Sequence, residues 1–154
     1  MSCHVSACPN HQTRRVTPLH TRGVVASLGP TGYELDPTKL TDEEVAEVAL
    51  QIREYEKVAD LILKGDSYRL CSPFDGNFFV QMIVSKDKKQ AYVCGVRIHG
   101  VPCDYDNFVA LTGLSEGLTY RIEELDITAS GKALTTIGVR LPRLPDFGAW
   151  TWHV

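Results

Sequence analysis

Two cysteines and two histidines stand within nine residues near the start of this 154-residue sequence: Cys3, His4, Cys8 and His11. Thiolate and imidazole are the ligands that zinc takes in tetrahedral sites, so this quartet is the first candidate for chemistry. Its spacing suits zinc poorly. Four residues separate the cysteines, adjacent Cys3 and His4 would point opposite ways on a strand, and no second cluster accompanies them. The plain alternative is a strand end running into a polar loop, and no metal is assigned. Cys8 and His11 also have the residue types of a nucleophile and its base, but nearness in sequence is not the hydrogen bond such a pair needs, and no orienting carboxylate lies nearby. Asp104 and Asp106, after Cys103, offer paired carboxylates or calcium ligands, yet Asp-Tyr-Asp between strands is ordinarily a solvated turn. Trp150 and Trp152 either stack a sugar ring or fill a core. Val154 extends their face, which favours the core.

The composition sets the background for these residues. With 44% hydrophobic and 23% charged residues, the chain reads as an ordinary globular protein of one domain or two small ones. A net charge of -3 gives no general attraction for nucleic acid or for an anionic membrane surface. No run approaches eighteen apolar residues, and the opening MSCHVSACPNHQTRR has no apolar signal core, so a cytoplasmic location is expected. Five cysteines form an odd set without the spacing of a small secreted domain, which favours reduced thiols. A complete eightfold β/α barrel needs at least about 200 residues, so this chain is too short to hold one.

The elements that must position the candidate residues change character near residue 66. Thr17-Pro18 fits a helix start, the run from Leu19 to Leu28 continues it, and Gly29-Pro30 stops it. Gly32 to Asp36 alternates polar and apolar residues as a short strand. The strongest pattern spans Thr41 to Lys64. Thr41 and Glu44 make a capping box, Asp42 and Glu43 suit the positive end of the helix dipole, and Lys64 with Gly65 close the other end. Val45, Val48, Ala49, Ile52, Tyr55, Ala59, Ile62 and Leu63 mark its apolar side. Strand then helix is the grammar of a parallel β/α unit.

After Asp66 the period becomes two. Tyr68 to Ser72, Asn77 to Ser85, Gln90 to Ile98, Asn107 to Leu111, Leu118 to Leu125 and Ala149 to Val154 read as short strands between turns. Lys86 to Lys89 makes a hairpin tip, and neighbouring hairpins of this kind build an antiparallel sheet with one packed face. The expected class is therefore α/β plus all-β, with a β/α segment at residues 1–66 and a small β-sandwich at 67–154.

Three long runs carry a resemblance. The loop HVSACPNHQT with its sequel RVTPLHTRG, then GYELDPTKLTDEE, then YRLCSPFDGN with VSKDKKQAYV, resemble the bacterial α-galactosidases of glycoside hydrolase family 36. The late ASGKALTTIGVRLP is similar to that family's Ser-Gly turn before its penultimate strands. The sequence departs from the family pattern at Ser2 and Cys3, where a glycine and a small residue are usual, and at Arg14, where a glycine or another small residue is common.

The resemblance implies the last two β/α units of a TIM barrel followed by the C-terminal β-sandwich. Met1 to Ala7 would be the latter half of barrel strand seven, Thr17 to Leu28 its helix, Gly32 to Asp36 strand eight and Thr41 to Lys64 the last helix. The implied activity is retaining hydrolysis of terminal α-galactosyl residues in galactosides such as melibiose and raffinose, by an aspartate nucleophile and an aspartate acid/base about 5 Å apart, without a cofactor. The family's Lys-Trp-Asp nucleophile motif is absent and no aspartate precedes Asp36, so no catalytic residue is carried over and the chain alone is expected to be inactive. Residues after barrel strands line the active-site mouth, which makes His4, Asn10, His11, Gln12 and Asp36 candidate pocket-rim residues. Expected partners are α-galactosides in the full-length enzyme, the missing N-terminal portion of that enzyme, or a second copy. The alternative is a non-catalytic carbohydrate-binding or assembly module that complements a separately encoded barrel fragment.

Overall fold

The computed structural model describes residues 3–102 and 107–154, so Cys103, Asp104 and Asp106 lie outside the described residues, as do Met1 and Ser2. It begins with a parallel β-α-β unit. Strand β1 (Cys3–Ser6) pairs with β2 (Thr31–Glu34) in the register His4 opposite Gly32 and Ser6 opposite Glu34, with helix α1 (Leu19–Ala26) crossing between them. Side chains alternate across a strand, so Cys3 and Val5 face one way and His4 and Ser6 the other. Val5 is buried with Leu19 and Ala26, and Tyr33, Leu35 and Val48 pack against that cluster. Helices therefore cover only one side of the pair.

Helix α1 starts and stops inside the range its sequence suggests. Pro18 takes the N-cap position rather than the first helical one and no side chain caps the end, while Ser27 closes the helix, whose last residue Ala26 lies two before Leu28. The Thr17 hydroxyl is not the cap. Its carbonyl instead accepts from Arg22 Nε at 3.0 Å. Helix α2 (Asp42–Lys64) has the expected capping box, with Glu44 N donating to Thr41 Oγ1 at 3.2 Å and Thr41 N to Glu44 Oε2 at 3.0 Å. Gly65 follows it with an ordinary φ of -73°. Glycine is required there by close approach: a Cβ would sit 2.5 Å from Ile83 Cγ2 and 2.6 Å from the Leu61 carbonyl.

The apolar side of α2 divides in two. Val58 and Ile62 are buried and Val48, Tyr55 and Leu61 partly so, whereas Val45, Ile52 and Leu63 are 48%, 43% and 57% exposed. At about 100° per residue, Val45, Ile52 and Leu63 form a stripe of their own, turned away from the buried Val58 and Ile62 by roughly 80–140°.

A four-stranded antiparallel sheet follows in the order β10-β5-β4-β3, built from β3 (Asp66–Cys71), β4 (Phe78–Val84), β5 (Ala91–Arg97) and β10 (Ala149–His153). The sequence suggests one packed face, but both are covered, and all seven residues of β5 are buried. Val80, Met82, Val93, Trp150 and Trp152 face a cluster with Val109, Leu111, Ile122, Leu134 and Val139. Ile83, Tyr92, Cys94, Val96 and Ala149 face Val24 of α1 and Val58 and Ile62 of α2. The β/α segment and the sheet thus share a core.

The remaining elements are shorter than their sequence suggests. The Asn107–Leu111 stretch contributes only β6 (Phe108–Val109), paired with β9 (Val139–Arg140). The Leu118–Leu125 stretch stops at Ile122 as β7 (Thr119–Ile122), turns through a short 3-10 helix with Asp126 at a left-handed φ of 51°, and returns as β8 (Ile127–Ser130). A short helix α3 (Gly131–Thr136), absent from the sequence reading, is capped by Ser130 through Ala133 N at 3.2 Å. No helix among the described residues is long and apolar enough to cross a membrane.

Candidate active-site rim

The uncovered face of the β1–β2 pair carries the first candidate. His4 Nε2 lies 2.8 Å from Glu34 Oε2, both side chains being largely exposed at 54% and 74%. Glu34 ends β2, level with Ser6 at the end of β1, so this carboxylate stands at the C-terminal edge of two parallel strands. That is the edge at which β/α folds build binding sites. The 2.8 Å contact turns His4 Nε2 toward this carboxylate.

Asn10 organises the loop that follows β1. Its Oδ1 accepts from Gln12 N at 3.0 Å, Thr13 N at 2.9 Å and Thr13 Oγ1 at 3.2 Å. Its backbone bonds Arg14 and Arg15, with Arg14 at a left-handed φ of 57°. A small residue or glycine is the easy occupant of such a position, so Arg14 carries some backbone strain. Arg22 of α1 anchors both ends of the loop, donating from Nη1 to the Ser6 carbonyl at 2.5 Å and from Nε to the Thr17 carbonyl. The loop, with Ser6 and Arg22, encloses a cleft of about 340 Å³ lined also by Asn10, Gln12 and Arg15. His11 and Gln12 are exposed.

Asp36 is committed elsewhere. It caps the 3-10 turn Pro37–Lys39, accepting from Thr38 Oγ1 at 2.7 Å and Thr38 N at 3.1 Å. These two bonds, the side-chain one first, hold its carboxyl below the ordinary carboxylate range. Of the five rim residues, Asn10 and Asp36 therefore maintain loops, His4 is paired on the strand face, and His11 and Gln12 present their side chains to solvent. The zinc quartet does not assemble: Cys3 faces the helices, His4 the opposite side, and Cys8 Sγ donates to the Thr17 carbonyl at 3.7 Å instead of meeting His11. Among the described residues no three His, Cys, Asp or Glu are placed to hold a metal ion.

Comparison with known proteins decides the family. Residues 1–65 match the family model Melibiase, and residues 79–154 match the glycosyl hydrolase family 36 C-terminal domain. The chain is 42% identical over 155 residues to the alpha-galactosidase AgaA of Geobacillus stearothermophilus, covering 100% of this chain and 21% of that protein. The chain belongs to glycoside hydrolase family 36. It is also 42% identical over 142 residues to the bifunctional alpha-galactosidase/sucrose kinase AgaSK of Mediterraneibacter gnavus, covering 92% of this chain and 15% of that one. The structure of an AgaA variant in complex with raffinose superposes with a TM-score of 0.95 at 42% identity, over 99% of this chain and 21% of that one. The family 36 match thus spans about a fifth or less of its curated relatives and falls in their C-terminal portion.

Glu34 is a further candidate rim residue, one not singled out from the sequence. The signal was present in GYELD, whose alternation sets Gly32 and Glu34 on one face and Tyr33 and Leu35 on the other. Only the parallel register, by placing Ser6 beside Glu34 and His4 within reach, makes that carboxylate part of a site.

Proposed function

We propose that residues 1–66 are the last two β/α units of a (β/α)8 barrel, that residues 67–154 are the antiparallel β-sandwich ending the enzyme, and that together they complete a retaining α-galactosidase acting on terminal α-galactosyl residues of sugars such as melibiose and raffinose. The observation that carries this reading is the incompleteness of the parallel pair. Among the described residues neither β1 nor β2 has a second neighbour. A cleft of about 350 Å³ runs from His4 and Ser6 of β1 to Thr21, Arg22 and Val25 of α1, where a preceding strand and helix would seat. The exposed stripe Val45, Ile52 and Leu63 is apolar surface of the kind a neighbouring barrel unit covers.

In this reading the chain supplies pocket wall and not the reacting groups. Retaining hydrolysis needs two carboxylates about 5 Å apart across a sugar. Asp36 is tied to Thr38, and Glu34 to His4. His4, Glu34, His11 and Gln12 would border the mouth, and Asn10 with Asp36 would hold its loops. The free thiols Cys3, Cys8, Cys71 and Cys94 agree with a cytoplasmic enzyme. Of the alternative, sugar stacking on Trp150 and Trp152 loses its basis, because the two side chains are only 7% and 2% exposed.

The test is reconstitution. The purified chain is expected to show no turnover of an aryl α-galactoside, and to restore turnover when mixed with the separately produced remainder of AgaA. The triple variant Val45→Ser, Ile52→Ser, Leu63→Ser should fold, remain unassociated and fail to complement. Turnover by the chain alone, or a triple variant that complements as well as the parent, overturns the proposal.

A further inference from the structure

The loop that leaves β1 is held by two side chains. It runs over residues 7–18, from the end of β1 at Ser6 to the start of α1 at Leu19. Arg22, one turn into α1, reaches back to both of its ends: Nη1 donates to the Ser6 carbonyl at 2.5 Å and Nε to the Thr17 carbonyl at 3.0 Å. A guanidinium suits this clamp because its planar fork holds two carbonyls at a fixed spacing, which a single ammonium does not. Within the loop, Asn10 N donates to the Arg15 carbonyl at 3.0 Å and Arg14 N to the Asn10 carbonyl at 2.8 Å, so residues 10–15 close on themselves. The Asn10 side chain takes up the backbone amides of Gln12 and Thr13 inside that turn.

What this scaffold leaves over is the pair of side chains at its tip. His11 and Gln12 are exposed, and among the described residues no hydrogen bond reaches either side chain. Gln12 also lines the cleft of about 340 Å³ that the loop forms with Arg22. Residues 7–18 contain no carboxylate, so the loop cannot supply a reacting group for retaining glycoside hydrolysis. It can bind. An amide and a neutral imidazole each offer both a donor and an acceptor, and a sugar hydroxyl presents the same two roles in return.

We propose that this loop recognises the part of an α-galactoside beyond the scissile bond, with His11 and Gln12 as specificity-determining residues and Arg22 as the residue that positions them. The inference rests on residues 1–66 belonging to a barrel. In that setting the face of β1 and β2 away from the helices becomes the barrel interior, and the loop after β1 stands at the mouth above it. The galactosyl ring is held where the two reacting carboxylates flank the scissile bond, on parts of the enzyme outside these residues. A rim loop without carboxylates meets what projects from that opening, the leaving group. In raffinose this is a sucrose unit dense in hydroxyls, whereas in phenyl α-galactoside it is a bare ring. Arg22 acts without touching sugar: by fixing the Ser6 and Thr17 carbonyls it sets where the tip stands, and a loop already ordered loses less freedom on binding.

The experiment uses the complex reconstituted from the full chain and the separately produced remainder of AgaA, with kcat and KM measured for raffinose and for phenyl α-galactoside. The readout is kcat/KM for raffinose divided by kcat/KM for the phenyl galactoside. Gln12→Ala and His11→Ala, both at exposed positions, are each expected to lower that ratio about threefold to tenfold, the scale of one hydrogen bond, through a higher KM for raffinose. Arg22→Met, which keeps the stem and removes the fork, should lower it by as much, and Arg22→Lys should recover only part of the loss. Adding Gln12→Ala to Arg22→Met should lower it little further, because a tip that is no longer positioned has little left to lose. Equal losses on both substrates, a ratio that stays within about twofold of the parent in both tip variants, or effects of Arg22→Met and Gln12→Ala that multiply in full overturn the proposal. A parent complex without turnover overturns the barrel reading and this inference with it, whereas an active parent with an unmoved ratio overturns this inference alone.

Discussion

Strand β5 and strand β1 are both short and mostly apolar or small, yet they meet opposite fates. All seven residues of β5 are buried, between α1 and α2 on one side and the β6–β9 and β7–β8 ladders on the other. Of the four residues of β1 only Val5 is buried, because helices cover one face and nothing among the described residues covers the other. The parallel pair stands alone: among the described residues neither of its strands has a second neighbour. Burial on both faces is what a parallel sheet ordinarily requires, so the bare face of β1 and β2 is the stronger sign of a missing neighbour.

The comparison breaks most visibly at the sheet core. Trp152→Ala removes a side chain that is 2% exposed and is expected to cost about 3–5 kcal/mol in urea denaturation. The same experiment tests how far the two regions are joined. Ile62→Ala, on α2 against the sheet, should cost about 2–3 kcal/mol. Its effect should appear in the fluorescence transition of Trp150 and Trp152, which lie on the opposite face of the sheet. A tryptophan transition that does not move would mean that the two regions unfold separately.

The smallest effect concerns Asp36. Its folded pKa lies below the unfolded value near 3.8, so its contribution to stability is present above that value and is lost as pH falls through the folded pKa. Thr38→Val should raise the midpoint of the Asp36 carboxyl titration toward 3.8, as followed by carbon NMR, and leave stability at neutral pH almost unchanged. A midpoint that stays put would show that Thr38 is not what holds the carboxylate.

Much of the helical structure was legible because its signals are local. The capping box of Thr41 and Glu44 depends on residues three apart, and both hydrogen bonds form as the pattern implies. The hairpin from β4 to β5 follows from alternation and a polar tip. Other features were hidden because they depend on distant partners. Helix α3 rests on Gly131, where a Cβ would come within 2.0 Å of the Ser115 carbonyl, a contact no local pattern records. Pro18 became an N-cap because Thr17 turned its carbonyl to Arg22 and Cys8. In the rim, a position after the implied barrel strands made Asn10 and Asp36 candidates for the pocket mouth, whereas their hydrogen bonds turn inward to Thr13 and Thr38.

The sequence by itself determined the family, the change of period near residue 66 and the absence of the family's nucleophile motif, since each is a matter of residue order. Tertiary structure decided which side chains are free to act. Pairing, register and packing bring together residues far apart in the chain: Glu34 to His4, Ile62 to the sheet beneath it, and Arg22 to the Ser6 carbonyl. A hydrogen bond or a buried face exists only once both partners are placed, and that placement is long-range.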